Sequence, residues 1–468
     1  MHIRLAVIAT VFFLSFNVGA QDIFSPLSTQ GVGQLRNKSF IHNLSMGGIG
    51  TAYTHSDSMA YSLKNPATSA YLKYTALDFG VKLGANQVIG IEDGNQGTFN
   101  DFGLNYMSIA MVLNKKKGWT VAFGLAPYSA FGYRAATSFS DSLKVEEHFF
   151  EGGLSESYLN TAFKLYSNRS KVKQAIEKND QLRKRKQDSL VIIPRLQTIT
   201  MGLQGTYLFG NKFYEHNVLF PNSIDLASIN TVNNYLIRGV TYRVGTHYKL
   251  KDITFSTTKK MKSGDTKTVN HKIDFDFGAY FGSSSSNRAT LRRHATSFLM
   301  VGDNVTVPDT VLPLQISTGD FKLPNSFGAG FMFTKKDNWS FGADVDYTQW
   351  SAFNYDGLSS TLNDELSFSI GGSYTPPNPD NFFERMEYRG GFNYRQSFLN
   401  QNEKQLNGYS TTFGLGMPFG KTIKSNLNLG FEYGALGNRN DHLFEERYYS
   451  FYLGITVNEF WFQQYKEK

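Results

Sequence analysis

Residues 448–462 read YYSFYLGITVNEFWF, and this stretch decides the fold. Tyr449, Phe451, Leu453, Ile455 and Val457 are apolar or aromatic. Tyr448, Ser450, Tyr452, Gly454, Thr456 and Asn458 alternate with them, before the aromatic cluster Phe460, Trp461 and Phe462. A period of two puts the two sets on opposite faces of a strand. An apolar face set against a small and polar face suits a strand between lipid and a polar lumen.

The pattern recurs. We count about fourteen alternating runs of this kind. In 106–113, Met107, Ile109, Met111 and Leu113 share a face; in 198–208, Ile199, Met201, Leu203 and Tyr207 do. In 339–350, Trp339, Phe341, Ala343, Val345 and Tyr347 oppose Ser340, Gly342, Asp344, Asp346 and Thr348. Runs at 327–333, 365–374, 388–394, 413–419 and 427–433 repeat the scheme, and weaker ones lie near 76–83, 119–133, 153–166, 238–249 and 272–281. Short connections (114–118, 335–338, 376–381, 420–426) alternate with long ones expected as outer loops (84–105, 134–152, 210–237, 282–320, 397–408). Outer-membrane barrels have this asymmetry, with short turns on the periplasmic side. The expected fold is therefore all-β, a 14-stranded antiparallel transmembrane β-barrel.

Composition agrees. The chain has no cysteine, 43 glycines, 15% aromatic residues and a mean hydropathy of −0.33. Those values exclude a disulfide scaffold, a thiolate metal site and a helical membrane protein. A secreted β-sandwich is the competing class, but it does not require so many runs of membrane-crossing length. Residues 1–20 read as a signal peptide: Arg4, an apolar run from Leu5 to Phe16, and the small-residue site Val18-Gly19-Ala20. The expected location is the outer membrane of a Gram-negative cell, in contact with its lipid.

The net charge of +8 is concentrated. Segments 167–196 and 249–272 together hold more net positive charge than the whole chain, so nucleic-acid binding is not expected. Both fall at periplasmic connections. Residues 170–190 read as helical, with Val172, Ile176 and Leu182 spaced among charges. They form either a solvated helix or a docking site for a periplasmic protein, peptidoglycan or headgroups. Trp119, Trp339 and Trp461 are expected in the periplasmic aromatic girdle, and parity turns Trp350 inward. Parity also turns Asp344, Asp346, Arg389, Arg395 and Glu432 inward, as a lumen network of acids paired with Arg across strands or as ligand contacts.

Residues 21–75 do not alternate and read as a hatch containing short helices, ahead of a barrel over 76–468. Asn65 before Pro66 is a helix-start signal. Gly47, Gly48, Asn65, Pro66 and Ala67 are the hatch and ligand candidates.

A family resemblance follows from these segments. SMGGIGTAYTHSDSMAYSLKNPATSAYL (45–72) resembles the hatch of the FadL family of outer-membrane fatty acid and hydrocarbon transporters. LPNSFGAGFMF with WSFGADVDYTQWSAF, then YRGGFNYRQS, TTFGLGMPFG and LNLGFEYGALGNR, resemble its later strands in order. The ending LGITVNEFWFQQYKEK resembles the Bacteroidota version, and the resemblance spans about residues 40–462. It implies a plugged barrel that binds a hydrophobic small molecule and releases it sideways at a kinked third strand. The third run here, 119–135, holds Gly124, Pro127 and Gly132. Proline removes a ladder donor and glycine weakens pairing, so these three are the lateral-opening candidates. The same stretch also reads as an ordinary strand end near the outer rim. The basic inserts are not part of the family pattern.

Enzyme signals are missing. Gly31-Val32-Gly33 lacks dinucleotide-loop spacing, and Gly153-Leu154-Ser155-Glu156-Ser157 lacks the last glycine of a nucleophile elbow. The nine histidines show no metal-ligand spacing; His42, His55 and His148 read as polar loop or hatch residues. No cofactor or metal is expected. Three functions follow in order: passive uptake of long-chain fatty acids or similar compounds, a protein-interaction role in type IX-like secretion or envelope assembly, and a lipid hydrolase.

Overall fold

The computed structural model describes residues 25–461, apart from short stretches at 56–59, 91–95, 139–143, 185–190, 222, 224, 261–265, 285–286, 302–303, 306–308, 336–337, 356–361, 378–379, 402, 421–424 and 439–443. The signal-peptide reading of 1–20 and Phe462, the last member of the closing aromatic cluster, lie outside the described residues.

After a two-residue strand β1 (Gln34–Leu35), the chain runs through β2 (Thr75–Gly90), β3 (Gln96–Asn114), β4 (Trp119–Ser138), β5 (Val145–Ser167), β6 (Gln197–Leu219), β7 (Ser228–Lys260) and β8 (Thr266–Ser284). Then come β9 (Asn287–Phe298), β10 (Met300–Val301), β11 (Asn304–Val305), β12 (Asp309–Lys322), β13 (Ser326–Lys335), β14 (Trp339–Thr348) and β15 (Asn354–Tyr355). The last five are β16 (Glu365–Tyr374), β17 (Glu387–Gln401), β18 (Lys404–Phe419), β19 (Ser425–Leu436) and β20 (Phe444–Glu459). Fourteen strands close one antiparallel barrel, β2–β8, β13, β14 and β16–β20. The seam is the β2–β20 ladder, from Thr75–Glu459 to Gly90–Phe444.

The side-chain alternation of the last strand falls as its sequence dictates. Phe451 is 57% exposed and Tyr452 5%. Phe123, Leu159, Phe277, Phe341, Ile370 and Phe413 point outward around the wall in the same way. This is the apolar band of an outer-membrane barrel. Trp119 and Trp461 are exposed on the short-turn rim; Trp350 is buried as expected, but in a 3-10 turn (Trp350–Ala352) beyond the end of β14 and not by strand parity.

The long outer connections are shorter than their sequence suggests. β2 and β3 continue to Gly90 and from Gln96, and β5 pairs with β6 up to Val145–Leu219. Residues expected as loops at 84–105, 134–152 and 210–237 are thus largely ladder. Beyond the membrane both faces meet water, so the backbone keeps its hydrogen bonds while the apolar alternation disappears. In the 282–320 segment, β9 pairs with the outer half of β7, and β12 pairs with β9 and, at Phe321–Tyr355, with β15.

The basic inserts lie on the short-turn rim. The first is a helix, Arg169–Lys184, and the second is an extension of β7 and β8, from Ile253–Ile273 to Lys260–Thr266. The helix is pinned to its return segment. Asn179 exchanges side-chain bonds with Val191 N and O at 2.7 and 2.8 Å, and Asn168 holds Arg195 O and Gln197 N at 2.8 Å each.

The described residues of 25–74 occupy the lumen. Their backbone lies directly on the wall where the wall has no side chain. A β-carbon at Gly391 would come within 2.1 Å of Gly47 N; at Gly371, within 2.1 Å of Met46 O; at Gly278, within 2.0 Å of Thr51 O. Gly391→Val is therefore expected to lift the 45–52 segment while leaving the barrel closed, at a cost of about 1–3 kcal/mol. Limited proteolysis of the purified protein should show new cleavage within 40–60 and an intact β13–β20 fragment.

Candidate functional site: the hatch and the break in the wall

The barrel wall is interrupted at its third barrel strand, β4. β3 and β4 pair from Asn114–Trp119 to Met107–Leu125, and no β3–β4 pair follows among the described residues. β4 continues to Ser138 and, of the described barrel strands, pairs there with β5 alone, with a register shift between Pro127 and Ser129. Pro127 has no N–H to give a neighbour, and the extra residue bends the strand away from β3. Gly124 lies at the last paired turn, with Tyr158 Oη where its β-carbon would be.

The chain closes this break with its own N-terminal segment. Gln34 and Leu35 pair antiparallel with Ala130 and Ser129. Arg36 N donates to Tyr128 O at 3.0 Å, and Ser25 N to Gly132 O at 3.0 Å. Ser28 Oγ also donates to Gly132 O at 3.0 Å and accepts from Gly132 N at 3.1 Å. On the β3 side, Arg36 makes a bidentate pair with Asp101, Nη2–Oδ1 being 3.0 Å, and Lys82 Nζ lies 3.1 Å from the same carboxylate. On the seam side, buried Glu446 accepts from Ser25 Oγ at 2.8 Å and Gln34 Nε2 at 3.3 Å. Residues 25–36 thus span the break, held by β4, β3 and β20.

The same segment fills an apolar site in the outer half of the lumen. Leu27 and Val32 belong to a buried cluster with Phe131, Leu154, Leu323, Trp350, Phe398 and Leu436. The Trp350 and Phe398 rings stack at 4.4 Å. Beneath the cluster lies a cavity of about 340 Å³, lined by Arg36, Lys38, Arg243, Glu365, Arg395 and Glu432 among others. It is a mixed-charge chamber under an apolar roof.

The remaining hatch is locked by acids of the wall. Asp344 Oδ2 accepts from Gly50 N at 2.7 Å, Thr51 N at 2.9 Å and Thr51 Oγ1 at 2.9 Å. Lys64 Nζ reaches Asp346 at 2.6 Å and Asp344 at 3.5 Å. Lys38 pairs with Glu156 at 2.8 Å. Lys249 Nζ bonds Thr54 Oγ1 at 2.6 Å and Asp276 at 3.1 Å, and His247 Nε2 lies 3.1 Å from Ala52 O. In the hatch itself, burial and then the Arg389 guanidinium push the His42 imidazole down to about 3, so it packs as a neutral ring with Nε2 3.1 Å from Tyr61 O.

Each residue singled out in the sequence can now be located. Asn65 caps the short helix Pro66–Tyr71 by accepting from Ala67 N at 3.0 Å, and its Nδ2 bonds Thr51 O at 2.7 Å and Thr246 O at 2.9 Å. Ala67 O accepts from Thr200 Oγ1 at 3.0 Å, and Asn160 Nδ2 lies 3.4 Å from Pro66 O. Gly47 and Gly48 have φ of +70° and +78°, and Gly47 N donates to Thr412 Oγ1 at 2.8 Å. Asn65, Pro66 and Ala67 sit against the wall, whereas Gly47 and Gly48 also line the charged chamber. The lumen acids do not pair with Arg across strands in the way their parity suggested. Asp344 and Asp346 are taken by the hatch, and Glu432 by Tyr452 Oη at 2.8 Å. Arg389 bonds Glu387, on its own strand, at 2.7 Å and Asn428 at 2.7 Å. Arg395 lines the charged chamber. The sequence reading missed Arg36, Lys38, Lys64, Glu156 and Glu446, whose partners are remote in the chain.

Comparison with known proteins follows from this geometry. By structure, the chain is similar to a Pseudomonas aeruginosa FadL homologue, with a TM-score of 0.53 at 11% identity over 91% of this chain and 100% of that one. It is also similar to the Pseudomonas putida toluene transporter TodX, with a TM-score of 0.51 at 14% identity over 92% and 99%. Likeness at this identity is likeness of fold. No curated protein matches the sequence. The family model described as BamG matches residues 1–171 and 193–467, leaving out most of the basic helix and the residues after it. With both arms of the barrel and the hatch inside that match, the chain belongs to the BamG family.

Proposed function

We propose that this barrel admits a hydrophobic compound carrying an anionic head, such as a long-chain fatty acid, and releases it into the bilayer between β3 and β4. One observation carries this reading: the ladder ends at Met107–Leu125, and what fills the break is the N-terminal segment of the same chain and not a barrel strand. The apolar cluster around Leu27 and Val32 suits an acyl chain, and Lys38, Arg243 and Arg395 below it suit a carboxylate. No energy source is needed, because transfer from water to an apolar site and then to lipid is downhill. Residues 25–36 act as the gate in this scheme.

The lack of cysteine gives a clean test. Leu35 and Ser129 are directly paired, so Leu35→Cys with Ser129→Cys places two thiols at a separation a disulfide can bridge. Entry of a long-chain fatty acid into cells making this variant is expected to fall to the empty-vector level when oxidised and to recover on reduction. Entry that is equal in the two states would rule the gate out.

A second reading rests on a different observation. The basic helix Arg169–Lys184 is exposed apart from buried Asn179 and half-buried Val172, Ala175 and Leu182, and it is tied down by paired asparagine bonds. An ordered cationic helix on the periplasmic rim suits an acidic protein, peptidoglycan or anionic headgroups, as an envelope-assembly component would use. Replacing 170–190 by a short Gly-Ser linker is expected to abolish co-sedimentation with peptidoglycan sacculi or anionic vesicles at low salt, with fatty acid entry unchanged. Sedimentation that survives the replacement would remove this reading.

A further inference from the structure

A cluster unconnected with the hatch lies at the outer end of the β5–β6 ladder. His148 and His216 are directly opposite each other in the register. Their rings stack, with centroids 4.4 Å apart and planes 5° from parallel. Glu146 is two residues before His148, so it projects on the same face. One ligand atom from each of the three lies within 4.8 Å of the others. Spacing along the chain hid this set: His148 reads as an isolated polar loop residue, and only the long ladder brings His216 to it.

Two details distinguish the cluster from a chance meeting of polar groups. His216 Nε2 is buried and has no hydrogen-bond partner among the described residues. An imidazole nitrogen left this way costs free energy unless something occupies it. Tyr214, also on this face, places Oη 3.1 Å from His148 Nδ1. With Nδ1 as donor, that bond fixes the tautomer and leaves the Nε2 lone pair for a ligand, the usual way an outer hydrogen bond orients a metal-binding histidine. Lys144 forms an ion pair with Glu146.

We propose that Glu146, His148 and His216 form a site for a divalent transition metal of the zinc class, outside the membrane and separate from the hatch. Two imidazoles and one carboxylate are a borderline-soft donor set that suits Zn²⁺ over Mg²⁺ or Ca²⁺. Ligand atoms around tetrahedral zinc lie roughly 3.4 Å apart, so small side-chain rotations close the cluster. Three protein ligands leave the fourth position for water or a ligand's anionic group. Binding displaces Lys144 from Glu146 and clips β5 to β6 where no lipid supports them.

The test uses the full chain in detergent, with Zn²⁺ titrated calorimetrically and Co²⁺ as spectroscopic probe. The wild type is expected to bind one Zn²⁺ that Mg²⁺ does not displace, and to give the visible absorption of tetrahedral Co²⁺. His148→Asn or His216→Asn should each weaken binding by about 10-fold or more. Lys144→Met should tighten it, a gain that misfolding cannot mimic. Equal metal uptake by the wild type and the His148→Asn/His216→Asn double variant, or no uptake by the wild type, would overturn the site.

Discussion

A transmembrane barrel is stable because closure leaves no strand edge in lipid, and this barrel parts between β3 and β4. Where β3 and β4 separate, two edges would present unpaired amides at or near membrane depth, each costing several kcal/mol in hydrocarbon. The N-terminal segment answers that constraint. Its backbone pairs with β4 at Ser129 and Ala130, and Arg36 reaches across to Asp101 on β3. The position of the hatch follows from this contact, because residues 25–36, fixed at the break, direct the residues after them down through the lumen. The glycines of the wall then set how closely the rest can pack.

Charge fixes the register of that packing. An apolar plug in an apolar barrel could slide or rotate at little cost. Here Lys64 meets Asp344 and Asp346, Lys38 meets Glu156, and Lys249 meets Thr54 beside Asp276. Each partner is buried or partly buried, so breaking one pair strands a charge at a cost of about 3–5 kcal/mol. A shift of the hatch by one residue would break several at once. Specificity of seating, more than net stabilisation, is what such pairs supply.

These facts bound what the sequence could show. Strands such as 339–348 and 448–459 were legible because lipid enforces alternation: Phe341 and Phe451 must face out, while Asp344 and Ser450 must not. The outer halves of β5 and β6 were not, because water on both faces removes the pattern while the ladder persists. Asn65-Pro66 was legible, since an N-cap followed by proline acts locally. The partners of Arg36, Lys64 and Glu446 were not, since each depends on how the chain folds back through a lumen whose width only the closed barrel defines. Pro127 sits between the two cases: the bend is a local property, but the occupant of the gap it creates comes from the far end of the hatch.

That occupant limits how the break can function. Opening exposes the β4 edge, breaks the Arg36–Asp101 pair and withdraws Leu27 and Val32 from their apolar cluster. The closed state is therefore the ground state, and a ligand can shift it only through a difference in affinity between the two states. A purely polar solute has nothing to offer the vacated apolar site. On the proposed reading a compound with an acyl chain does, because it would replace Leu27 and Val32 against Trp350 and Phe398. An anionic head can in addition compete with Asp101 for Arg36. On the proposed reading, the segment that seals the wall would also select for the kind of molecule able to unseal it.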